Sequence, residues 1–352
     1  MDEFKFVDLC AGIGGLRKGF ETWGGKCVLT CERDKFARKT YEANYPGEAP
    51  IVEDITTLEA SDVPDHDVLL AGFPCQPFSI SGVSKKNSLG HAHGFDCDTQ
   101  GTIFFDVARI IEAKRPKAFL LENVKNLVRH DKGRTFKVIM QTLKGLGYHI
   151  HHKVLNAQGF VPQNRERIFI VGFREEVPFN WDDLKLPEPD AKTMASVLLP
   201  ESEVEDKYTV SDKMWAWHQA HKAKHAKAGN GFGYGLVTGD DISRTLSARY
   251  HKDGAEILVS RGEGQTPRRL TPRECGRLMG YSDDHQIPVS NTQAYRQFGN
   301  SVVVPLVEEI AYWMVPHIHR IPFFVKDWHG YPRDTPSSFE KCFMNPVESP
   351  RW

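Results

Sequence analysis

The sequence has no apolar run as long as a membrane span, and its opening Met1-Asp2-Glu3-Phe4-Lys5-Phe6-Val7 lacks the basic and apolar regions of a secretory leader. The cytoplasm is therefore the expected compartment. Cysteine is sparse and odd in number. Seven residues scattered from Cys10 to Cys342 do not make a disulfide framework and suit reducing conditions. Cys27 and Cys31 have the spacing of a metal-ligand pair, but no second pair completes a site, so two buried strand cysteines and no metal are expected. An excess of one charge is missing too. With 45 Lys and Arg against 46 Asp and Glu, the net charge of -1 points to no polyanionic partner. Basic residues do gather locally, at Lys85-Lys86, Arg165 and Arg167, Lys222 to Lys227 and Arg268-Arg269, while acids collect between Glu201 and Asp206. A neutral chain with that distribution can still present one basic face. Internal repeats and low-complexity tracts are absent, which excludes solenoids and arrays.

What is present is an alternating pattern. The 352 residues have room for one large domain and a smaller one, and 40% hydrophobic with 26% charged residues is ordinary for a soluble enzyme. Phe4 to Leu9 is a short apolar run ending at Gly12-Ile13-Gly14-Gly15, after which Leu16, Gly19, Phe20 and Trp23 recur at helical spacing. Strand, glycine turn and helix are predicted. Such a turn lets backbone approach a ligand, and the helix N-terminus offers free N–H groups. A second strand-like run, Cys27 to Cys31, ends in Glu32, the position from which a carboxylate grips ribose hydroxyls in dinucleotide-binding folds. An adenosine-containing cofactor fits this spacing, although a plain tight turn would leave the same glycines.

Further strands are predicted at His66 to Phe73, Ala118 to Leu121 and Arg167 to Phe173, with helical spacing over Phe104 to Ala113 and Thr135 to Leu143. This alternation predicts an α/β fold with a mostly parallel sheet covered on both faces. Near Val177 the texture changes. Pro178, Pro187, Pro189 and Pro200 interrupt it, and the chain stays polar and irregular to Pro267. We read residues 1–176 as the first domain, 177–267 as a second, 268–315 as a return to the first, and 316–352 as a tail of no assigned role. Thr271 is placed to cap a helix begun by Pro272.

Pro74-Cys75-Gln76-Pro77-Phe78-Ser79 directly follows the apolar run Asp67 to Phe73, which puts a thiol at the carboxyl end of a buried strand. That is the crevice where open α/β sheets bind ligands and where a nucleophile is both held and accessible. A lone cysteine is by default a structural thiol, but the Pro-Cys step after a strand favours the reactive reading. Glu122-Asn123-Val124 ends the next strand and brings a carboxylate to the same edge. Gln163-Asn164-Arg165-Glu166-Arg167 supplies guanidinium groups, for which simple salt bridges are the alternative, and Gln297 to Val302 leads into an apolar helical run from Val303 to Val315.

Taken in order, Asp8 to Gly15, Gly72 to Ser79, Glu122 to Val124, Gln163 to Arg167, Arg269 to Tyr281 and Gly299 to Val302 resemble the motif series of the DNA (cytosine-5)-methyltransferases. The likeness runs from Phe4 to Val315. Gly82 to Gly90 and Arg244 to Tyr250 look most like the Dcm-type branch. The resemblance implies a Rossmann-like S-adenosylmethionine-dependent methyltransferase domain with a smaller irregular target-recognition domain. It implies transfer of a methyl group to carbon 5 of a flipped cytosine in a short duplex sequence, CCWGG-like, with S-adenosylhomocysteine as product and no metal.

Residue by residue, the same resemblance makes Cys75 the nucleophile toward carbon 6, Glu122 the acid at N3 and Arg165 the stabiliser of the carbonyl oxygen, and it counts Arg167 among the catalytic residues. Cofactor contacts fall to Gly12, Gly14, Glu32, Asp54, Ile55, Pro74, Asn300 and Val302, with Cys10 and Arg33 standing where aromatic residues usually flank the cofactor. DNA contacts fall to Ser79, Lys85 and Lys86 in a mobile loop, and to Arg244, Thr245, Ser247, Arg249 and Tyr250 in the recognition segment, arginine being the side chain that reads guanine bidentately. His218, His221 and His225 lie at helical spacing among lysines and are expected on a solvated or DNA-facing helix. Lys222, Lys224 and Lys227 either bind phosphate or simply face solvent. Double-stranded DNA is the expected partner of a monomeric, nucleoid-associated enzyme, and a cognate restriction endonuclease is a candidate partner. A tRNA cytosine-5 methyltransferase of the same fold and a noncatalytic DNA-binding relative are the alternatives. A nicotinamide oxidoreductase would explain the glycine turn but not Pro74-Cys75 or Glu122.

Overall fold

The computed structural model describes residues 3–74 and 103–319, so Cys75, Ser79, Lys85 and Lys86 lie outside the described residues, as does the tail from residue 320. In chain order the strands are β1 (Phe4–Leu9), β2 (Gly25–Cys31), β3 (Ile51–Val52), β4 (Val68–Gly72), β5 (Ala118–Val124), β6 (His149–Asn156) and β7 (Glu166–Phe173). They form one seven-stranded sheet in the order β3-β2-β1-β4-β5-β7-β6. β1 to β5 run parallel, as the alternation predicted, while β7 is antiparallel to both β5 and β6. The segment between β6 and β7 is too short for the helical crossover that a parallel pair needs.

Parallel strands buried on both faces read as unbroken apolar runs, and in β4 Val68, Leu69, Leu70 and Ala71 are all buried. Period two then divides β1 between two layers. Phe4 and Phe6 pack toward α1 (Gly15–Glu21) and the C-terminal helix through Phe20 and Val307, while Val7 and Leu9 join Phe104, Ile111 and Ile139 on the other side. The remaining helices are α2 (Lys35–Asn44), α3 (Ile103–Lys114), α4 (Arg134–Gly145), α5 (Asp212–Lys227), α6 (Pro272–Leu278), α7 (Asn291–Asn300) and α8 (Val304–Ile318). Return of the chain to the first layer after residue 268 is pinned where Trp23 Nε1 donates to the Glu308 carbonyl at 2.8 Å. The Thr271 cap forms as predicted. Its hydroxyl accepts from Glu274 N at 3.1 Å, and the Glu274 carboxylate accepts from Thr271 N at 2.7 Å.

Strand β6 has no counterpart in the sequence pattern. It is an edge strand in which only Leu155 is fully buried, and the run His149-Ile150-His151-His152-Lys153 shows no clean apolar period. Residues 177–267 are irregular, as expected: single turns, α5, and two-residue strands β8 (Leu236–Val237) and β9 (Leu258–Val259) that join β10 (Arg268–Arg269) in a three-stranded sheet. Trp181, Met194, Val237, Leu246 and Val259 nevertheless belong to the same buried cluster as Phe6, Phe298 and Val307, so this segment is welded to the main layer.

The strand order reverses between β1 and β4, whose connections leave to opposite sides. A crevice therefore opens beyond Leu9 and Gly72.

Candidate active site

The turn after β1 supplies one wall of that crevice. Gly12 has φ +59°, and a Cβ there would meet no atom within 4 Å because it would point into open space. Its N–H donates to Glu32 Oε2 at 2.7 Å, and Asp34 N donates to Oε1 at 2.7 Å, so the carboxylate at the end of β2 is held by backbone from two sides. A cavity of about 570 Å³ lies here, within the range of small-molecule sites. Gly12, Glu32, Asp54, Ile55, Pro74, Asn300 and Val302 all line it, as do Cys10 and Arg33. Gly14 is not on its wall. With φ +84° and Tyr45 2.6 Å from where a Cβ would sit, it serves the turn instead. Asp54 accepts from Thr56 N and Oγ1 at 3.0 and 2.8 Å, bonds that hold its carboxyl below the usual range. Ala11, Phe73, Arg296 and Gln297 also line the cavity; the last two arrive on α7 from far along the chain, and no period or spacing marks them in advance.

The catalytic candidates sit on the adjoining wall. Glu122 lies opposite Gly72 in the β4–β5 ladder, so its carboxylate reaches the strand end that leads to Pro74. Asn123 Nδ2 donates to the Phe73 carbonyl at 2.7 Å and fixes the exit of β4. Arg167 Nε stands 3.1 Å from Glu122 Oε1, with both side chains largely buried, and both line the same cavity as Glu32 and Gly12. Burial pushes the Glu122 carboxyl up, opposed by Arg167 and then Arg165. Its neutral form therefore persists to higher pH than that of an exposed glutamate.

Arg165 is placed otherwise than expected. It is 1% exposed, its Nη1 donates to the Leu246 carbonyl at 2.7 Å, and its Nη2 donates to those of Gly299 and Ser301 at 3.0 and 2.6 Å. With those donors committed, it is not among the residues that line the cavity beside Glu122. The reason is register: the β5–β7 ladder ends at Val124↔Arg167, so Arg165 overhangs the sheet and reaches α7, while Arg167 remains beside Glu122.

Of the expected DNA readers, Arg244 and Arg249 are exposed, and Arg244 Nη1 donates to the Gly233 carbonyl at 2.8 Å. Thr245 donates to the Asn164 carbonyl and Ser247 to the Glu256 carboxylate, so both hydroxyls are engaged within the chain. Tyr250 contradicts its expected role. It is fully buried, its hydroxyl donating to the Ile257 carbonyl and accepting from Leu270 N, each at 2.7 Å. The turn in which Tyr250 N bonds the Ser247 carbonyl sends Arg249 outward and Tyr250 inward. Tyr250→Phe should leave Leu270 N buried without a partner and cost about 1–3 kcal/mol, while the pattern of DNA modification stays unchanged. Denaturant unfolding and product mapping check the two halves of this expectation.

His218 is buried rather than solvated, whereas His221 and His225 are half-buried with their Nε2 atoms 3.1 Å apart. Among the described residues no group of three or more His, Cys, Asp or Glu side chains could hold a metal, and no helix is long and apolar enough to cross a membrane.

The profile of the C-5 cytosine-specific DNA methylases matches residues 4–315. The DNA-cytosine methyltransferase of Escherichia coli (strain K12) is 48% identical, over 90% of this chain and 78% of that protein. Type II methyltransferase M1.ScrFI of Lactococcus lactis subsp. cremoris is 53% identical over 90% of this chain and 79% of its own length. Among solved structures, the S. pombe Dnmt2 methyltransferase superposes with a TM-score of 0.69 at 18% identity, covering 91% of this chain and all of that one, a likeness of fold.

Proposed function

This chain belongs to the C-5 cytosine-specific DNA methylases, and we propose that it methylates carbon 5 of a flipped cytosine in a short duplex sequence by covalent catalysis through Cys75. One observation carries the assignment of residues. The Glu122–Arg167 pair and the Gly12–Glu32 turn open into a single cavity, at the strand end that leads directly into Pro74-Cys75.

Carbon 5 of cytosine is a weak nucleophile, so the ring must first be made electron-rich. Addition of the Cys75 thiolate to carbon 6 does this and leaves an enamine. Glu122, whose carboxyl is pushed up by burial, would donate a proton to N3 as charge develops there. The structure commits Arg165 elsewhere, so we assign to Arg167 the stabilisation of the ring carbonyl oxygen, with Glu122 held in place by the same guanidinium. Gly12, Glu32, Asp54, Ile55, Pro74, Asn300 and Val302 would hold S-adenosylmethionine: the open face of Gly12 admits it, and the backbone-anchored Glu32 carboxylate suits ribose hydroxyls. When bound, that cofactor supplies an electrophilic methyl group and leaves as S-adenosylhomocysteine. Loss of the carbon 5 proton and elimination of the thiol then free the enzyme. Attack must come perpendicular to the ring, which base stacking prevents, so the cytosine leaves the helix at a cost of a few kcal/mol.

Residues 177–267 would choose the sequence through Arg244 and Arg249, with Ser79, Lys85 and Lys86 on phosphates. A CCWGG-like site, a monomeric cytoplasmic enzyme associated with the nucleoid, and a cognate restriction endonuclease complete the reading; relatives named as type II methyltransferases support its restriction-modification context alone. The tRNA and noncatalytic alternatives are not favoured, because the curated relatives are named for DNA or type II methylation at about half identity. Bisulfite sequencing of DNA from cells expressing the chain should show protected cytosines in one short context. Full conversion at every cytosine would refute the assignment.

A further inference from the structure

Residues 162–165 and 243–246 lie side by side like an added strand pair. Ser243 N and Oγ donate to the Pro162 carbonyl at 2.9 and 3.0 Å, Asn164 N donates to the Ser243 carbonyl at 2.9 Å, and Leu246 N donates to Gln163 Oε1 at 2.8 Å. The same segment runs on to Arg249, and Arg244 and Arg249 are its exposed side chains. Its backbone also rests on the end of α7, where a Cβ on Gly299 would fall 2.3 Å from the Ser247 carbonyl carbon.

Arg165 joins these parts. Its guanidinium binds the Leu246 carbonyl, between the two exposed arginines, and the Gly299 and Ser301 carbonyls, on either side of the cavity residue Asn300. Every guanidinium hydrogen bond goes to a backbone carbonyl, and Nε has no partner among the described residues. Burial pushes the group down to about 9, Arg167 adds repulsion, and Glu122 opposes both. A buried cation served in this way is a poor stabilising device, since apolar side chains of similar volume commonly do as well or better. What it supplies is a set distance between two segments more than fifty residues apart, by sequence number 246 and 299.

We infer that Arg165 is a positioning residue for sequence discrimination, locking the recognition segment to the cofactor wall so that only the correct site brings its cytosine into register with the reacting groups. This rests on the function proposed above. Misplacement by about 1 Å can cost roughly a hundredfold in rate, so a slackened lock penalises the cognate site, whose contacts are all in register, more than a near-cognate one.

The test uses the full chain with S-adenosylmethionine and plasmid DNA, read by bisulfite sequencing over time. The quantity compared is the ratio of methylation rates at the preferred site and at its one-base variants. Arg165→Met should lower that ratio at least about tenfold, and Arg165→Lys at least about threefold, because one ammonium cannot bridge both backbone segments as the planar fork does. A role confined to stability would reduce the amount of active enzyme and leave the ratio unaltered, and that result overturns the inference. Should Arg165→Met fail to fold, an unchanged ratio in Arg165→Lys overturns it equally. No methylation by the unsubstituted chain would refute the function and the inference together, whereas methylation with an unaltered ratio refutes the inference alone.

Discussion

Cys75→Ser is expected to abolish methyl transfer by roughly three orders of magnitude or more while leaving S-adenosylmethionine binding almost unchanged. Losses on that scale follow removal of a covalent nucleophile when the remaining groups act only in concert with it. A thiol of pKa about 8.5 supplies some thiolate near neutrality, whereas a serine hydroxyl supplies essentially no alkoxide, and serine keeps nearly the same volume. Cofactor affinity should survive because, apart from Pro74, the residues assigned to it, Gly12, Glu32, Asp54, Ile55, Asn300 and Val302, come from elements other than β4. Radiolabelled methyl transfer to DNA and calorimetric titration with the cofactor separate the two quantities. Turnover within about tenfold of the parent would remove Cys75 from the mechanism.

The second large effect belongs to Glu122→Gln. An amide can hydrogen-bond to N3 but cannot deliver a proton, so a loss of about 10²- to 10⁴-fold in turnover is expected. The pH dependence has a definite sign. Burial raises the Glu122 pKa, and its protonated form is the competent one, so activity of the parent should fall as pH rises through that raised value; the glutamine variant should lack this fall. Stability follows the same direction with pH. Because the folded state holds the proton more tightly than the unfolded chain, the group's contribution is fully present below the unfolded pKa and is lost as pH rises through the folded one. Glu122→Gln should thus be more stable than the parent above that raised pKa, less active yet harder to unfold, the pattern of a residue kept for function. Urea unfolding at two pH values checks this. A variant destabilised above that pKa would mean that the ion pair with Arg167 outweighs burial.

Much of this was legible in the residues alone. Phe4 to Leu9, Cys27 to Cys31 and Val68 to Gly72 announce themselves because a strand covered on both faces must be apolar throughout, and composition then suffices. The ends of those strands are legible for the same reason, and with them Gly12, Glu32, Glu122 and the approach to Cys75. Strand β6 was hidden because a half-exposed edge strand owes its place to hydrogen bonds with β7, which leave little trace in side-chain type.

Neighbouring residues of like chemistry mark where sequence reading stops. Arg165 and Arg167 are equivalent as a pattern, yet one overhangs the sheet and binds three carbonyls while the other pairs with Glu122, a difference set by where the β5–β7 ladder ends. Arg249 and Tyr250 both looked fit to read bases, and a single turn exposes the first and buries the second. Fold class was legible in the sequence through its hydrophobic period, and the reaction through the likeness of its ordered motifs to those of the DNA (cytosine-5)-methyltransferases, because both rest on local stretches of residues. Which arginine lies beside Glu122, and how residues 243–249 are tied to the end of α7, were decided by the tertiary structure, because both depend on register between strands and segments that meet only when the chain is folded.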